Sequence, residues 1–535
     1  MTVEPELRPR PGAALPPRTA PAPARTTRRR TVLLTLLCLG VCLAAGLQQW
    51  TAVHLGGFDL AIFHQGVDGY AHLGLPVSTV KSYHHEFPPG FSLLGDHFSP
   101  VLALLAPLYW IWDDPRSLII GQSLLLAAGV PLIRRIAARC FPGASPVHRR
   151  RAADLAGLVY ALGWPLLAAA RGGFHEVAFA VPLTLLLFER SLARRYDLAA
   201  LAGLLLCLTK EDLGLMVGLY GLVLVLRSRR SHDEAGLKYG IGLLVGGPLA
   251  SVAAISWLIP AMGGRPDYYW NYGQIGPDLG SALGNLLGNP LLLFQAAFSA
   301  PLKPLLVLWL FGTLLALPLR SATALCALPL LTERVLSDNP NHWSVAHHYD
   351  AFLWPILLTA TLEVLGRLHG RERSRPTARR LGLAVAAVSL AAAVPLGLQG
   401  LLTPAEWRPG TSGDALVRAA ALVPDGATVE ADNQIVPRLV TRTDAILVDG
   451  TPRARAYVLI RSDTRTFPFS SVRQQVERID LLLAHGYRQI WAQDGVVLLH
   501  RIDDQPVPGA RVPGPGSTPF QDVVPSDVGH DLFNG

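Results

Sequence analysis

The sequence predicts a mainly α protein: a polytopic bundle of about eleven transmembrane helices with a small extracytoplasmic α/β domain at its C-terminal end. Three observations carry this reading. Half of the 535 residues are hydrophobic and only 16% are charged, against about a quarter charged in an ordinary soluble chain. Apolar runs able to cross a roughly 30 Å hydrocarbon core recur from Thr31 to about Gly400. Beyond Gly400, charged residues return together with short β-branched runs.

The net charge of +8 would suit a nucleic-acid partner, but its distribution excludes one. The basic residues stand in short clusters between apolar runs, as topology signals do. The five cysteines, Cys38, Cys42, Cys140, Cys207 and Cys326, lie in apolar runs or a basic loop. They imply neither a disulfide framework nor a zinc site.

Residues 1–30 are rich in Pro, Ala and Arg and predict a disordered cytoplasmic tail. The run from Thr31 to Gln48 follows Arg28, Arg29 and Arg30 but lacks a convincing cleavage site, so it reads as an uncleaved first span. The spans then fall at 31–49, 117–133, 152–170, 177–190, 197–209, 213–226, 238–259, 303–319, 321–336, 351–366 and 381–400. With the N-terminus inside, the cytoplasmic segments up to residue 400 hold 27 Lys or Arg and the outer ones 7. This fourfold bias supports the orientation. Val101 to Trp112 is too short to span and reads as an interfacial helix on the outer surface.

An odd number of spans places residues 401–502 outside. Thr428 to Ala431, Ala445 to Val448 and Tyr457 to Ile460 read as strands. Val472, Val476, Ile479 and Leu483 form one helical stripe. Arg488 to Ala492 and Val496 to His500 flank Asp494-Gly495, a hairpin signal. Residues 503–535, rich in Pro and Gly, predict a disordered tail. The whole would sit in the plasma membrane, in contact with the lipid bilayer.

Chemistry concentrates in the outer loops. The loop 50–116 holds Phe58-Asp59-Leu60-Ala61-Ile62-Phe63-His64-Gln65, Tyr83-His84-His85-Glu86 and Gly95-Asp96-His97-Phe98-Ser99-Pro100. A plain connector needs no such density of His, Asp and aromatics. Asp59 follows the first span closely, so its carboxylate stands at the membrane–water boundary, where a general base could take a proton from an acceptor hydroxyl. A bland alternative is an interfacial cap or ion-pair partner. Asp96 and His97 could bind a phosphate-linked donor or a metal, or simply cap the turn before Ser99-Pro100. Arg171-Gly172-Gly173-Phe174-His175-Glu176, Lys210-Glu211-Asp212 and His347-His348-Tyr349-Asp350 face the same side under this topology. Lys210, Glu211 and Asp212 could equally neutralise one another at the end of a hairpin.

These motifs, with Thr209-Lys210-Glu211-Asp212, resemble in order and spacing the predicted-membrane-protein family 2079 of unknown function, over roughly residues 50–400. That family is in turn similar to the GT-C membrane glycosyltransferases, including actinobacterial cell-envelope enzymes. The resemblance implies a polyprenyl-phosphate sugar donor and an inverting transfer on the outer face. It implies Asp59 as the catalytic carboxylate, with Gln65, Asp96, His97, His175, Glu176, Lys210 and Glu211 as substrate-binding residues and Lys210 near the donor phosphate. The adjacent acidic pair usual in that loop is absent, since Asp68 stands nine residues beyond Asp59; participation of a divalent metal is left open. Two other classes compete: a transporter or flippase of a lipid-linked solute, and a non-catalytic envelope protein whose outer domain binds a partner.

Overall fold

The computed structural model describes residues 25–265 and 267–521. Of the disordered tails expected over 1–30 and 503–535, residues 1–24 and 522–535 lie outside the described residues, and residues 25–30 are not disordered but form the start of the first helix, Arg25–Thr51. Among the described residues, six helices are long and apolar enough to cross a membrane: Thr26–Thr51, Arg116–Cys140, Pro146–Arg171, Glu234–Ala261, His348–Gly370 and Glu372–Leu402. A seventh arises if Leu291–Ala297 and Leu302–Gly312, bent by 80°, form one broken span. The remaining expected spans fall on shorter or more charged pieces. Ala180–Leu192 has 13 residues and Tyr196–Cys207 has 12, which reach about 20 and 18 Å. Leu213–Ser231 ends in Arg227, Arg229 and Arg230. The stretch expected at 321–336 splits into a 3₁₀ segment, Ala322–Ala327, and the helix Leu328–Leu336.

The first helix, α1 (Arg25–Thr51), buries Cys38, Cys42 and Ala45 against the bundle and turns Leu33 and Leu36 outward. The span His348–Gly370 lies deepest in the bundle, whereas Glu234–Ala261 is peripheral and exposes Ile241, Val245 and Leu249. That apolar exposure is suited to lipid, which replaces water around a spanning helix. Leu213–Ser231 and Glu234–Ala253 cross at glycines: a Cβ on Gly221 would come within 2.2 Å of the Leu244 backbone nitrogen. Small residues permit this approach of two backbones, as in membrane helix pairs generally.

After α1 the chain leaves the bundle through α2 (Gly57–Ala71) and α3 (Thr79–His85). A short helical pair, Pro100–Leu105 and Ala106–Tyr109, follows; Leu104 within it and Trp110 and Ile111 just beyond it are exposed.

The C-terminal region folds as a five-stranded sheet of order β2-β1-β3-β5-β4. Its strands are β1 (Thr428–Ala431), β2 (Asp444–Leu447), β3 (Tyr457–Arg461), β4 (Tyr487–Gln493) and β5 (Val496–Arg501). β1 pairs parallel with β2 and β3, while β5 runs antiparallel to β3 and β4. The helices Thr411–Ala420 and Val472–Leu483 pack on it. Val53, Ala61, Ile62, Val80 and Leu93 of the 50–116 stretch share one hydrophobic cluster with Leu416, Val429, Val436 and Leu459. The first loop and the C-terminal domain are therefore one packed unit. Residues 503–521 have no helix or strand, yet Val507 is buried and the Phe520 amide donates to the His85 carbonyl at 3.2 Å.

Candidate active site

Asp59 sits on a turn with unusual backbone geometry. Phe58 is extended (φ −64°, ψ 125°), and Asp59 has φ 76° and ψ −73°, a γ-turn conformation that is rare and strained for a side-chain-bearing residue. The C-terminal domain holds the turn from outside. The Gly57 amide donates to the Asn433 carbonyl at 2.6 Å, and the Phe58 amide to Asn433 Oδ1 at 2.9 Å. Gly57 is required by closeness, since a Cβ there would lie 2.6 Å from Val436 Cβ.

The turn aims Asp59 at the loop between Pro146–Arg171 and Ala180–Leu192. Asp59 Oδ2 lies 3.1 Å from His175 Nε2; the carboxylate side chain is 45% exposed and the imidazole nearly buried. The His175 ring nitrogens make no well-aligned hydrogen bond among the described residues, so the contact is a close approach of imidazole and carboxylate. The His175 ring stacks on His348 with centroids 3.4 Å apart. Its amide donates to Gln122 Oε1 at 3.0 Å, and Gln122 Nε2 donates to the Ala169 and Gly173 carbonyls, each at 2.8 Å. Gln122 thus anchors the His175 loop to the helix Arg116–Cys140.

From this pair a closed ring of contacts runs through the loops. Next to His175, Glu176 meets Lys210 Nζ at 3.8 Å. Next to Lys210, Glu211 accepts at 2.8 Å from His97 Nδ1 and at 3.2 Å from the Phe98 amide. Ser99 Oγ donates to the Thr209 carbonyl at 2.8 Å, so 97–99 is zipped onto 209–211. Next to His97, Asp96 pairs with Lys81 Nζ at 3.0 Å and accepts from Tyr269 Oη at 2.6 Å. Lys81 Nζ in turn lies 5.6 Å from the Phe58 ring centroid, which returns to Asp59. Asp59, Asp96, His97, His175, Glu176, Lys210 and Glu211 all lie on this ring. Gln65 does not: its Oε1 accepts from Ser78 Oγ and the Val80 amide, and its Nε2 donates to Thr79 Oγ1. Those bonds fasten α2 to the start of α3.

The charges support one another. Burial pushes the Asp59 carboxyl up, but His175, then Lys81 and His347, outweigh it and hold it below its ordinary value. For Asp96, burial is outweighed by Lys81, His97 and the Tyr269 hydroxyl, with the same result. Burial pushes His97 down, but Glu211 holds it above its ordinary value, while His97 and Lys210 draw Glu211 down to about 2. Lys210 stays above its ordinary value because Asp212, Glu176 and Glu211 overcome burial. His347, buried and close to His175, is pushed down to about 4 and is neutral at neutral pH.

Lys81, Gln122 and Asn433 escaped sequence reading, whereas His348 belongs to the cluster His347-His348-Tyr349-Asp350 that it named. Lys81 had the plainest signal, a lone cation two residues before Tyr83-His84-His85-Glu86, yet its partners Asp96 and Tyr269 are remote in sequence. Among the described residues, no three His, Cys, Asp or Glu side chains are grouped to hold a metal ion; the ring consists instead of paired opposite charges.

No curated protein matches the chain. A family model described as "Predicted membrane protein (DUF2079)" matches residues 51–498, which include the ring, the bundle after α1 and nearly all of the sheet. The chain therefore belongs to the DUF2079 family of predicted membrane proteins.

Proposed function

We propose that the protein is a membrane-embedded transferase of the GT-C type, moving a sugar from a polyprenyl-phosphate donor to an acceptor hydroxyl. In this reading it crosses the plasma membrane eleven times with its N-terminus in the cytoplasm. The 50–116 loop and C-terminal domain then stand on the outer face. The observation that supports it most is the Asp59–His175 pair: a half-exposed carboxylate on a strained turn, 3.1 Å from a nearly buried imidazole, soon after the end of a membrane-length helix.

The Asp59 carboxylate accepts the proton of the acceptor hydroxyl as that oxygen attacks the anomeric carbon. The bond from that carbon to the carrier phosphate oxygen breaks, and its electron pair leaves on the phosphate. Attack from the opposite face inverts the anomeric centre. The Lys210 ammonium meets the charge on the departing phosphate. Asp96, His97, Glu176 and Glu211 hold Lys210 and the loops in place, and Gln65 acts through α3.

The test is release of polyprenyl phosphate from reconstituted protein supplied with polyprenyl-phosphate sugars, followed by mass spectrometry. Asp59→Asn should lower it by about 10²–10⁴-fold, the usual range for a lost general base. Unchanged release in that variant removes Asp59 from the mechanism. Absence of any protein-dependent release overturns the transferase reading.

A further inference from the structure

At the other end of the bundle a cavity of about 480 Å³ is lined by Val223, Leu226, Arg227, Arg230, Arg320, Ala322 and Arg367. Two helices connect it to the Asp59 ring. Leu213–Ser231 begins right after Asp212 and reaches the cavity at Arg227 and Arg230; Leu353–Gly370 begins soon after His348 and reaches it at Arg367. Leu213 and Arg230 are 17 residues apart in sequence, a rise of roughly 26 Å. The cavity therefore opens about one hydrocarbon thickness from the ring.

Its charge is strongly one-sided. Arg227 places one guanidinium nitrogen 2.8 Å from each Glu363 oxygen and 2.7 Å from Thr323 Oγ1. Glu363 also accepts from the Thr323 hydroxyl at 2.8 Å and from Ser321 Oγ. That carboxylate is thus fully engaged and neutralises Arg227 alone. Arg367 donates to the Arg320 carbonyl, which draws these two chain segments together. Among the described residues, Arg230, Arg320 and Arg367 form no ion pair with any carboxylate. All three are exposed.

Arginines at helix C-termini offset the helix dipole and mark the cytoplasmic side. Neither role requires three uncompensated guanidinium groups around one concavity, with a fourth locked into its wall. Guanidinium forks match phosphate oxygens in paired hydrogen bonds. The volume falls in the usual range of about 300–1,000 Å³ for small-ligand sites. Val223, Leu226 and Ala322 give it an apolar wall, and Leu319, Leu325 and Leu328 are exposed close by in sequence. We propose that this cavity binds a phosphate mono- or diester of net negative charge, with Arg230, Arg320 and Arg367 as its ligands. The source is an anionic lipid headgroup or a soluble phosphate.

The test uses the full-length protein in a neutral detergent and native mass spectrometry. The probes are dihexanoyl phosphatidylglycerol, inorganic phosphate and, as a zwitterionic control, dihexanoyl phosphatidylcholine. Retention of phosphatidylglycerol over phosphatidylcholine, weakened at least tenfold in Arg230→Ala/Arg320→Ala, supports a headgroup site. Retention of inorganic phosphate with the same loss supports a soluble phosphate source. An Arg473→Ala/Arg488→Ala control, both exposed in the C-terminal domain at the opposite end of the molecule, should bind as the parent does. Equal binding of both lipids without inorganic phosphate retention, unchanged binding in the cavity variant, or no binding of either phosphatidylglycerol or inorganic phosphate overturns the proposal. Arg230 and Arg320 are exposed, and a melting temperature matching that of the parent verifies that the variant is folded.

Discussion

Asn433 accepts the Phe58 amide at 2.9 Å, so a residue of the C-terminal domain grips the turn that presents Asp59. The two residues are 375 positions apart in sequence, yet they meet in one packed unit. The domain is part of the site's scaffold. Replacing Asn433 by Leu removes this acceptor and leaves the Phe58 amide unpaired, at a cost of about 1–3 kcal/mol. Amide exchange over residues 56–62 should accelerate while that of the sheet core is unchanged. Equal protection in both proteins would show that the turn holds without Asn433.

The close approach at Gly57 gives a paired prediction. A methyl group there meets Val436 Cβ at 2.6 Å, so Gly57→Ala should destabilise the docked domain by about 1–3 kcal/mol, as overpacking does. Val436→Ala alone loses core contacts and also destabilises. The double variant should recover part of the loss, because shortening Val436 removes the Cγ1 that lies 2.7 Å from the added methyl. A thermodynamic cycle on melting temperatures measures this coupling. Strict additivity would mean that the two sites do not press on one another.

Much of the fold was readable because its signals are local. Asp494-Gly495 marked the hairpin, and both residues do have positive φ, 49° and 73°. The stripe Val472, Val476, Ile479 and Leu483 fell on one helix, Val472–Leu483. The bundle was harder, because an apolar run does not reveal where a helix breaks. The 3₁₀ segment Ala322–Ala327 interrupts such a run without any charge to announce it. In the candidate site, most of the residues named from sequence meet on one ring, because the loops that carry them are held together by their own ion pairs and hydrogen bonds. Gln65 shares a motif with Asp59 but stands six residues further along α2, on another face of the helix. Gln122 lay hidden in an apolar span, where its bonds to 169–175 depend on tertiary packing.

Lys81 should be far more costly to remove than its place in a loop suggests. Its side chain is 2% exposed, paired with Asp96 at 3.0 Å and within 5.1–5.7 Å of the Phe58, Phe87, Tyr268 and Tyr269 ring centroids. Lys81→Met leaves Asp96 buried without its cation, at about 3–5 kcal/mol. Lys81→Met/Asp96→Asn should be less damaging than Lys81→Met, since the stranded charge is gone. Thermal unfolding of the purified proteins compares them. A double variant no more stable than the single one would place the cost in lost packing instead.

Gln122 offers a test of how the His175 loop is held. Its amide bridges the Ala169 and Gly173 carbonyls and the His175 amide, all buried. Gln122→Leu fills the same space with no polar atom and should lower stability by about 1–3 kcal/mol per unsatisfied group. Protease cleavage near Gly172-Gly173 should rise with it. Unchanged cleavage would show that stacking of His175 on His348 suffices.

The clamp between His97 and Glu211 should depend on pH with a definite sign. His97 is held above its ordinary 6.5 in the folded protein, chiefly by Glu211 against the effect of burial. Its contribution is full below about pH 6.5 and is lost as pH rises through the raised folded value. Glu211 is lowered from 4.5 to about 2, so its contribution is present above about pH 4.5 and lost as pH falls toward 2. The clamp is therefore tightest between about pH 4.5 and 6.5. The Phe98 amide, which donates to Glu211 Oε2 at 3.2 Å, reports it directly. After correction for intrinsic base catalysis, its exchange should speed up as His97 deprotonates. Glu211→Gln removes the charge that holds the His97 proton, so this pH dependence should shift to lower pH and weaken. Corrected exchange that is flat from about pH 6 to 9 in the parent protein would mean that 97–99 stays on 209–211 without the imidazolium, held by Ser99 and the Thr209 carbonyl.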